Sequence, residues 1–129
     1  MAGGVLVVED DEDIRADLTA ILRVKGFAVG EAANGKEALA QLEEGEYPCL
    51  IVLDLMMPVM NGWELRTAML ANPALAAIPV VVVSGKGRIA PDEERTLAPA
   101  AVLVKPFELS ELLDLVARFC APGQAVAGR

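Results

Sequence analysis

The sequence predicts an α/β fold: five strands alternating with five helices, (βα)5, around one doubly wound parallel sheet. Three observations predict it. Four short runs are rich in β-branched residues and continuously apolar: Val5-Leu6-Val7-Val8, Cys49-Leu50-Ile51-Val52-Leu53, Val80-Val81-Val82-Val83 and Ala101-Val102-Leu103-Val104. Strands covered on both faces, as in a parallel sheet, read this way. Between these runs the apolar residues recur at helical spacing, and strict strand–helix alternation implies a sheet with helices on both sides. The chain has 129 residues, 54% of them hydrophobic, which suits one domain with one real core.

Each element has its own signal. After the first run, Ile14, Leu18, Ile21 and Leu22 stand at i, i+4, i+7 and i+8, one face of a helix. Phe27-Ala28-Val29 is a weaker candidate for the second strand. Ala38, Leu39 and Leu42 form the stripe of a second helix, entered through Asn34-Gly35. A third helix starts near Asn61, with Glu64 placed for a capping box, and turns Leu65, Met69 and Leu70 inward. A fourth starts at Pro91, followed by Asp92, Glu93 and Glu94, which suit the positive end of a helix dipole. The fifth buries Leu109, Leu112, Leu113, Val116 and Phe119 and stops at Pro122-Gly123. Residues 1–120 therefore read as the domain, and 121–129 as a flexible C-terminal tail or the start of a linker.

Composition excludes several functions. Lys and Arg total 11, Asp and Glu 19, and there is no His, so the formal charge is −8. Without His there is no His-based catalytic triad, no His zinc site and no phosphohistidine on this chain. The acidic balance argues against direct contact with nucleic acid, which needs clustered Lys and Arg, and against docking on an anionic membrane. The longest apolar stretch, residues 74–83, contains Pro79 and falls short of the roughly 20 residues that span a bilayer. No positive n-region precedes the first apolar run, so no signal peptide is expected. Cys49 and Cys120 lie in apolar segments rather than in a C-x-x-C pair, and read as buried thiols in a reducing, cytoplasmic setting, with a disulfide as the alternative.

Ligands of open α/β sheets bind at the carboxyl ends of the strands, so the residues following each apolar run carry the information. Glu9 and Asp10 follow the first strand, Asp54 the third, Ser84 the fourth, and Lys105 with Pro106 the fifth. Three carboxylates converging on one edge repel one another unless a cation neutralises them. A hard divalent ion with oxygen ligands fits, and Mg²⁺ takes one or two carboxylates plus water and phosphate. Asp11, Glu12 and Asp13 read instead as a solvated helix start. Taken singly, Asp54 could be a structural acid paired with Lys105, and Ser84 a loop cap. Together, an aspartate nucleophile, a metal site, a hydroxyl and an ammonium are the parts of phosphoryl transfer.

At these residues the sequence resembles the receiver domain of two-component response regulators, and of chemotaxis regulators in particular. The motifs are Val7-Val8-Glu9-Asp10-Asp11-Glu12-Asp13-Ile14-Arg15, Leu53-Asp54-Leu55-Met56-Met57-Pro58-Val59-Met60-Asn61-Gly62, Val83-Ser84-Gly85 and Val104-Lys105-Pro106-Phe107, in the family's order and spacing over residues 4–120. The resemblance implies a flavodoxin-like sheet of order 2-1-3-4-5. It implies that Asp54 accepts a phosphoryl group from phosphohistidine on a sensor histidine kinase or histidine phosphotransferase, switching contacts with a downstream protein. Mg²⁺ or Mn²⁺ would be held by Asp10 directly, Glu9 through water, Asp54, and the backbone carbonyl of Met56. Ser84 and Lys105 would bond the phosphoryl oxygens, with a cis peptide before Pro106. Gly85 would keep the site open, and Met56 and Lys86 would tune hydrolysis. The chain would assist its own phosphorylation and dephosphorylation without being a turnover enzyme, as a monomer or a weak phosphorylation-dependent dimer.

Two positions depart from the family. Val102 stands where many receivers carry Tyr or Phe, and Leu97-Ala98-Pro99-Ala100-Ala101 lacks the usual Gly-Ala-Asp/Asn pattern. Signalling must then rest on Ser84 and on the loop and helix after it. Other readings fit less well. A phosphohydrolase of the aspartate-nucleophile type needs a second acid two residues after the nucleophile, where Met56 stands. A flavin or nucleotide module needs a Gly-rich loop after the first strand, where the chain runs acidic. A degenerate receiver acting unphosphorylated would not need every site residue.

Overall fold

The computed structural model describes residues 3–45, 47–85 and 87–122. Its order is β1 (Val5–Val8), α1 (Glu12–Val24), β2 (Val29–Ala32), α2 (Gly35–Glu43), β3 (Leu50–Asp54), α3 (Gly62–Leu70), α4 (Pro73–Ala76), β4 (Val80–Ser84), α5 (Pro91–Leu97), β5 (Ala101–Val104) and α6 (Leu109–Phe119). The strands form one parallel sheet in the order β2-β1-β3-β4-β5, as expected. No described helix is long and apolar enough to cross a membrane.

The alternation of side chains along a strand divides the core into two layers. Leu6, Val8, Ile51, Leu53, Val80 and Val82 face α2, α3, α4 and α5 through Ala38, Leu42, Leu65, Met69, Leu75 and Leu97. Val5, Val7, Leu50, Val52, Val81, Val83 and Leu103 face α1 and α6 through Leu22, Leu112 and Val116. Each fully buried side chain of this kind contributes roughly 1.5–3 kcal/mol. With helices on both faces, the sheet leaves polar chemistry only its ends.

Capping sets the helix starts. The Asp11 carboxylate accepts from the Ile14 N–H, which fulfils the helix-start reading of that acid. Asn34 accepts from the Glu37 N–H, and Asn61 with Glu64 closes the expected capping box.

Some expectations shift. β2 is Val29–Ala32, so of the expected Phe27-Ala28-Val29 only Val29 lies in the strand. As an edge strand it tolerates Gly30 and Glu31, while Phe27 buries its ring before the strand begins. Ile14, Leu70 and Leu109 are about two-fifths exposed, each lying at the end or rim of its stripe. The helical turn α4 went unpredicted because it has only four residues. Cys49 and Cys120 are not thiols: they are joined in a disulfide with Cα atoms 5.6 Å apart. The parallel sheet brings the start of β3 beneath the end of α6, a proximity that 71 residues of separation concealed. The expected tail, apart from Ala121 and Pro122, lies outside the described residues, as does Lys86.

Candidate phosphoryl and metal site

Strand register assembles the site. Val8 pairs with Leu53, Asp54 with Val83, and Ser84 with Val104. Glu9, next after Val8, therefore stands level with Asp54, and Lys105, two residues beyond the level of Asp54, follows β5 at the same sheet end. Glu9, Asp10 and Asp54 each offer a carboxylate oxygen, and the three lie within 4.8 Å of one another. Lys105 Nζ sits 3.3 Å from Glu9 Oε1 and 4.0 Å from Asp54 Oδ2. The ammonium thus bridges both acids and leans towards Glu9. The Lys105–Pro106 peptide is cis, as the resemblance implied.

Glu9 and Asp54 are buried, whereas Asp10 is exposed. The Glu9 N–H donates to Ala32 O, its carbonyl accepts from Arg15 Nη1 at 2.8 Å, and its Oε2 accepts from the Asp11 N–H at 3.2 Å. Arg15 also pairs with Glu31, 3.4 Å away. Asp54 Oδ1 accepts from the Met56 N–H at 3.2 Å, which orients the carboxylate. The Met56 side chain itself is 44% exposed, so it rims the site rather than filling it.

Ser84 is buried in place, but its hydroxyl donates to Gly87 O at 2.8 Å. The structure brings Glu9, Asp10, Asp54 and Lys105 together and turns the Ser84 hydroxyl to the following loop. A Cβ at Gly85 would meet only Lys105 Cδ at an ordinary 3.8 Å, so bulk there is not excluded. Arg15, which pattern alone gives no role, holds the Glu9 backbone. Its one signal in the sequence is a base two residues beyond the acidic run Glu9–Asp13.

Burial and like charge raise two carboxyls, those of Glu9 and Asp10. Desolvation pushes the Glu9 carboxyl above its usual range, reinforced by Asp54 and partly offset by the Asp11 N–H and Lys105. Asp10 is raised by its own desolvation and then by Glu9. A carboxyl whose pKa is higher folded than unfolded withholds stability once it ionises. The loss begins near the unfolded value of about 4.3 and grows as pH rises through the folded one. Glu9→Gln in chelator should therefore melt like the parent near pH 4 and above it at pH 7–8. A pH-independent difference between the two melting curves would contradict this.

Gly62 locks α3 to the end of β3. Its N–H donates to Leu55 O, and a Cβ there would lie 2.8 Å from Leu55 Cα and 2.9 Å from Asp54 O. These are backbone atoms and cannot swing away. Gly62→Ala should lower stability by about 1–3 kcal/mol. Denaturant unfolding with an unchanged midpoint would refute that.

Comparison with known proteins bears on this geometry. The family model described as the response regulator receiver domain matches residues 5–117. The chain belongs to the response regulator receiver family. The receiver is 42% identical over 114 residues to the transcriptional regulatory protein PrrA of Mycobacterium tuberculosis, covering 87% of this chain and 47% of PrrA. The chain thus spans about half the length of that curated relative. The chemotaxis protein CheY4 of Vibrio cholerae superposes with a TM-score of 0.79 at 30% identity, covering 92% of this chain and 99% of that one. The response regulator TrrA of Thermotoga maritima, solved with Mg²⁺ and BeF, superposes with a TM-score of 0.77 at 27% identity, covering 89% and 96%. This receiver's Glu9, Asp10 and Asp54 cluster fits a phosphoacceptor site of a two-component system.

Proposed function

We propose that Asp54 is the phosphoacceptor, receiving its phosphoryl group from phosphohistidine on a sensor histidine kinase or histidine phosphotransferase. The observation that carries this is the meeting of Glu9, Asp10 and Asp54 at the sheet end, with Lys105 spanning two of them. The donor set consists of hard oxygens, which suits Mg²⁺ or Mn²⁺ and not a soft ion. Asp10, Asp54 and the Met56 carbonyl would hold the ion directly and Glu9 through water. Bound there, such an ion would neutralise charge on the carboxylates and on the incoming phosphoryl oxygens.

The chain's own groups supply the rest. A carboxylate oxygen of Asp54 forms the new O–P bond as the P–N bond to the donor imidazole breaks. The electron pair stays on the imidazole nitrogen, which takes up a proton. The Met56 N–H on Oδ1 holds the carboxylate in line. Lys105, already 4.0 Å from Oδ2, turns to the phosphoryl oxygens. The Ser84 hydroxyl leaves Gly87 O for the same oxygens and so reports the new charge to the loop after β4.

The receiver unit in this reading is residues 1–120. It assists its own phosphorylation and hydrolysis, works in the cytoplasm where ATP charges the donor, and acts through contact with a protein, not nucleic acid or membrane. Acetyl phosphate with Mg²⁺ should add one phosphoryl group per chain, read by intact mass, and chelator should abolish the gain. No gain with Mg²⁺ present would overturn the reading. Multiple turnover on a generic phosphoester would favour a phosphohydrolase instead.

A further inference from the structure

We propose that Arg66 is a positioning residue that pins the far end of α5, so that a displacement begun at Ser84 dies out at Leu97 and Ala98. The displacement half of this rests on the acceptor reading of Asp54. The pinning half rests on hydrogen bonds alone.

α5 is otherwise poorly held. Ala90 caps it without a side-chain hydrogen bond, and among residues 91–97 only Leu97 is buried. It ends on Ala98 in the left-handed region, φ 46° and ψ 53°, where glycine is usual and a Cβ is strained. Arg66 meets that end. It lies on the inner side of α3 and is 4% exposed. Its Nε donates to Leu97 O at 2.6 Å and its Nη2 to Ala98 O at 3.0 Å. The last carbonyls of a helix lack partners within the helix and carry its negative end, so a buried cation suits them. The flat guanidinium reaches two successive carbonyls at once, which a lysine ammonium cannot match. Arg66 Nη1 is buried with no partner, so the side chain keeps this pose despite an unpaired donor.

Among the described residues, besides the core packing of Ile89 and Leu97, two side-chain hydrogen-bonded ties hold the stretch after β4. The Ser84–Gly87 hydrogen bond is one that chemistry at Asp54 can release. The Arg66 fork is remote from that chemistry and holds.

Hydrogen–deuterium exchange on the full chain tests this, with wild type, Arg66→Lys and Arg66→Met, each with and without Mg²⁺ and beryllofluoride. Without ligand, amides of residues 97–100 should exchange about tenfold faster in both variants, with β1 and β3 unchanged. In wild type, beryllofluoride should alter exchange at 87–90 and leave 97–100 as they were. In Arg66→Lys the alteration should spread to 97–100. A merely structural role would move the unliganded rates and not this ligand-induced difference. If 97–100 respond in wild type as strongly as 87–90, or if Arg66→Lys matches wild type throughout, the proposal fails. Should Arg66→Met not fold, Arg66→Lys and the wild-type comparison still decide it. Failure of beryllofluoride to alter any amide near Asp54 would sink the acceptor reading, while the unliganded rates would still judge the pin.

Discussion

Asp54→Asn should abolish phosphoryl uptake, with intact mass unchanged after acetyl phosphate and Mg²⁺. The substitution keeps the side chain's shape and its acceptor for the Met56 N–H, 3.2 Å away in the parent. It removes the negative charge and the second nucleophilic oxygen. An amide cannot form a stable acyl phosphate, so the loss is expected to be complete. It also relieves the crowding among Glu9, Asp10 and Asp54, so the variant should fold at least as well as the parent. A melting temperature at or above the parent's, together with no mass gain, separates lost chemistry from lost structure. A mass gain that persists in Asp54→Asn would place the phosphoryl group elsewhere.

The second large effect concerns Cys49 and Cys120. Their bridge closes a loop of 71 residues of sequence separation. Chain-entropy arithmetic for a loop that long gives about 4 kcal/mol of stabilisation, all acting through the unfolded state. For a domain of this size that corresponds to a fall of roughly 10 °C or more in melting temperature on reduction. Thermal melts with and without a phosphine reductant measure it, and Cys49→Ser/Cys120→Ser should melt with the reduced parent. Two titratable thiols in the untreated protein, with superimposable melts, would refute the bridge. In a glutathione-poised cytoplasm the pair would face continual reduction, so the two forms are both worth measuring.

The site was readable because each of its residues interrupts something regular. Glu9, Asp54, Ser84 and Lys105 each follow an apolar strand, and the parallel register made their convergence follow from topology. What stayed hidden depends on contacts between distant segments. No periodicity tells that Cys49 lies under Cys120, or that Arg66 faces Leu97 and Ala98 across the gap from α3 to α5. Arg66 reads locally as one more helix surface charge, although its neighbours Leu65 and Met69 are both core residues. β2 was misplaced because the strongest apolar residue nearby, Phe27, is a plug and not a strand residue. The Ser84 rotamer, turned to Gly87, is set by a loop whose conformation no pattern encodes.

The bridge between Cys49 and Cys120 also fixes a polarity. It sits at the amino-terminal edge of the sheet, where the Gly3 N–H meets Tyr47 O and the Cys49 N–H meets Gly4 O. The acidic cluster sits at the opposite, carboxyl-terminal edge. Cargo fused before Gly3 or after Cys120 would thus hang from the pole opposite Glu9, Asp10 and Asp54. Fluorescent or affinity tags at either terminus can then serve in donor-binding and phosphorylation assays without shielding Asp54.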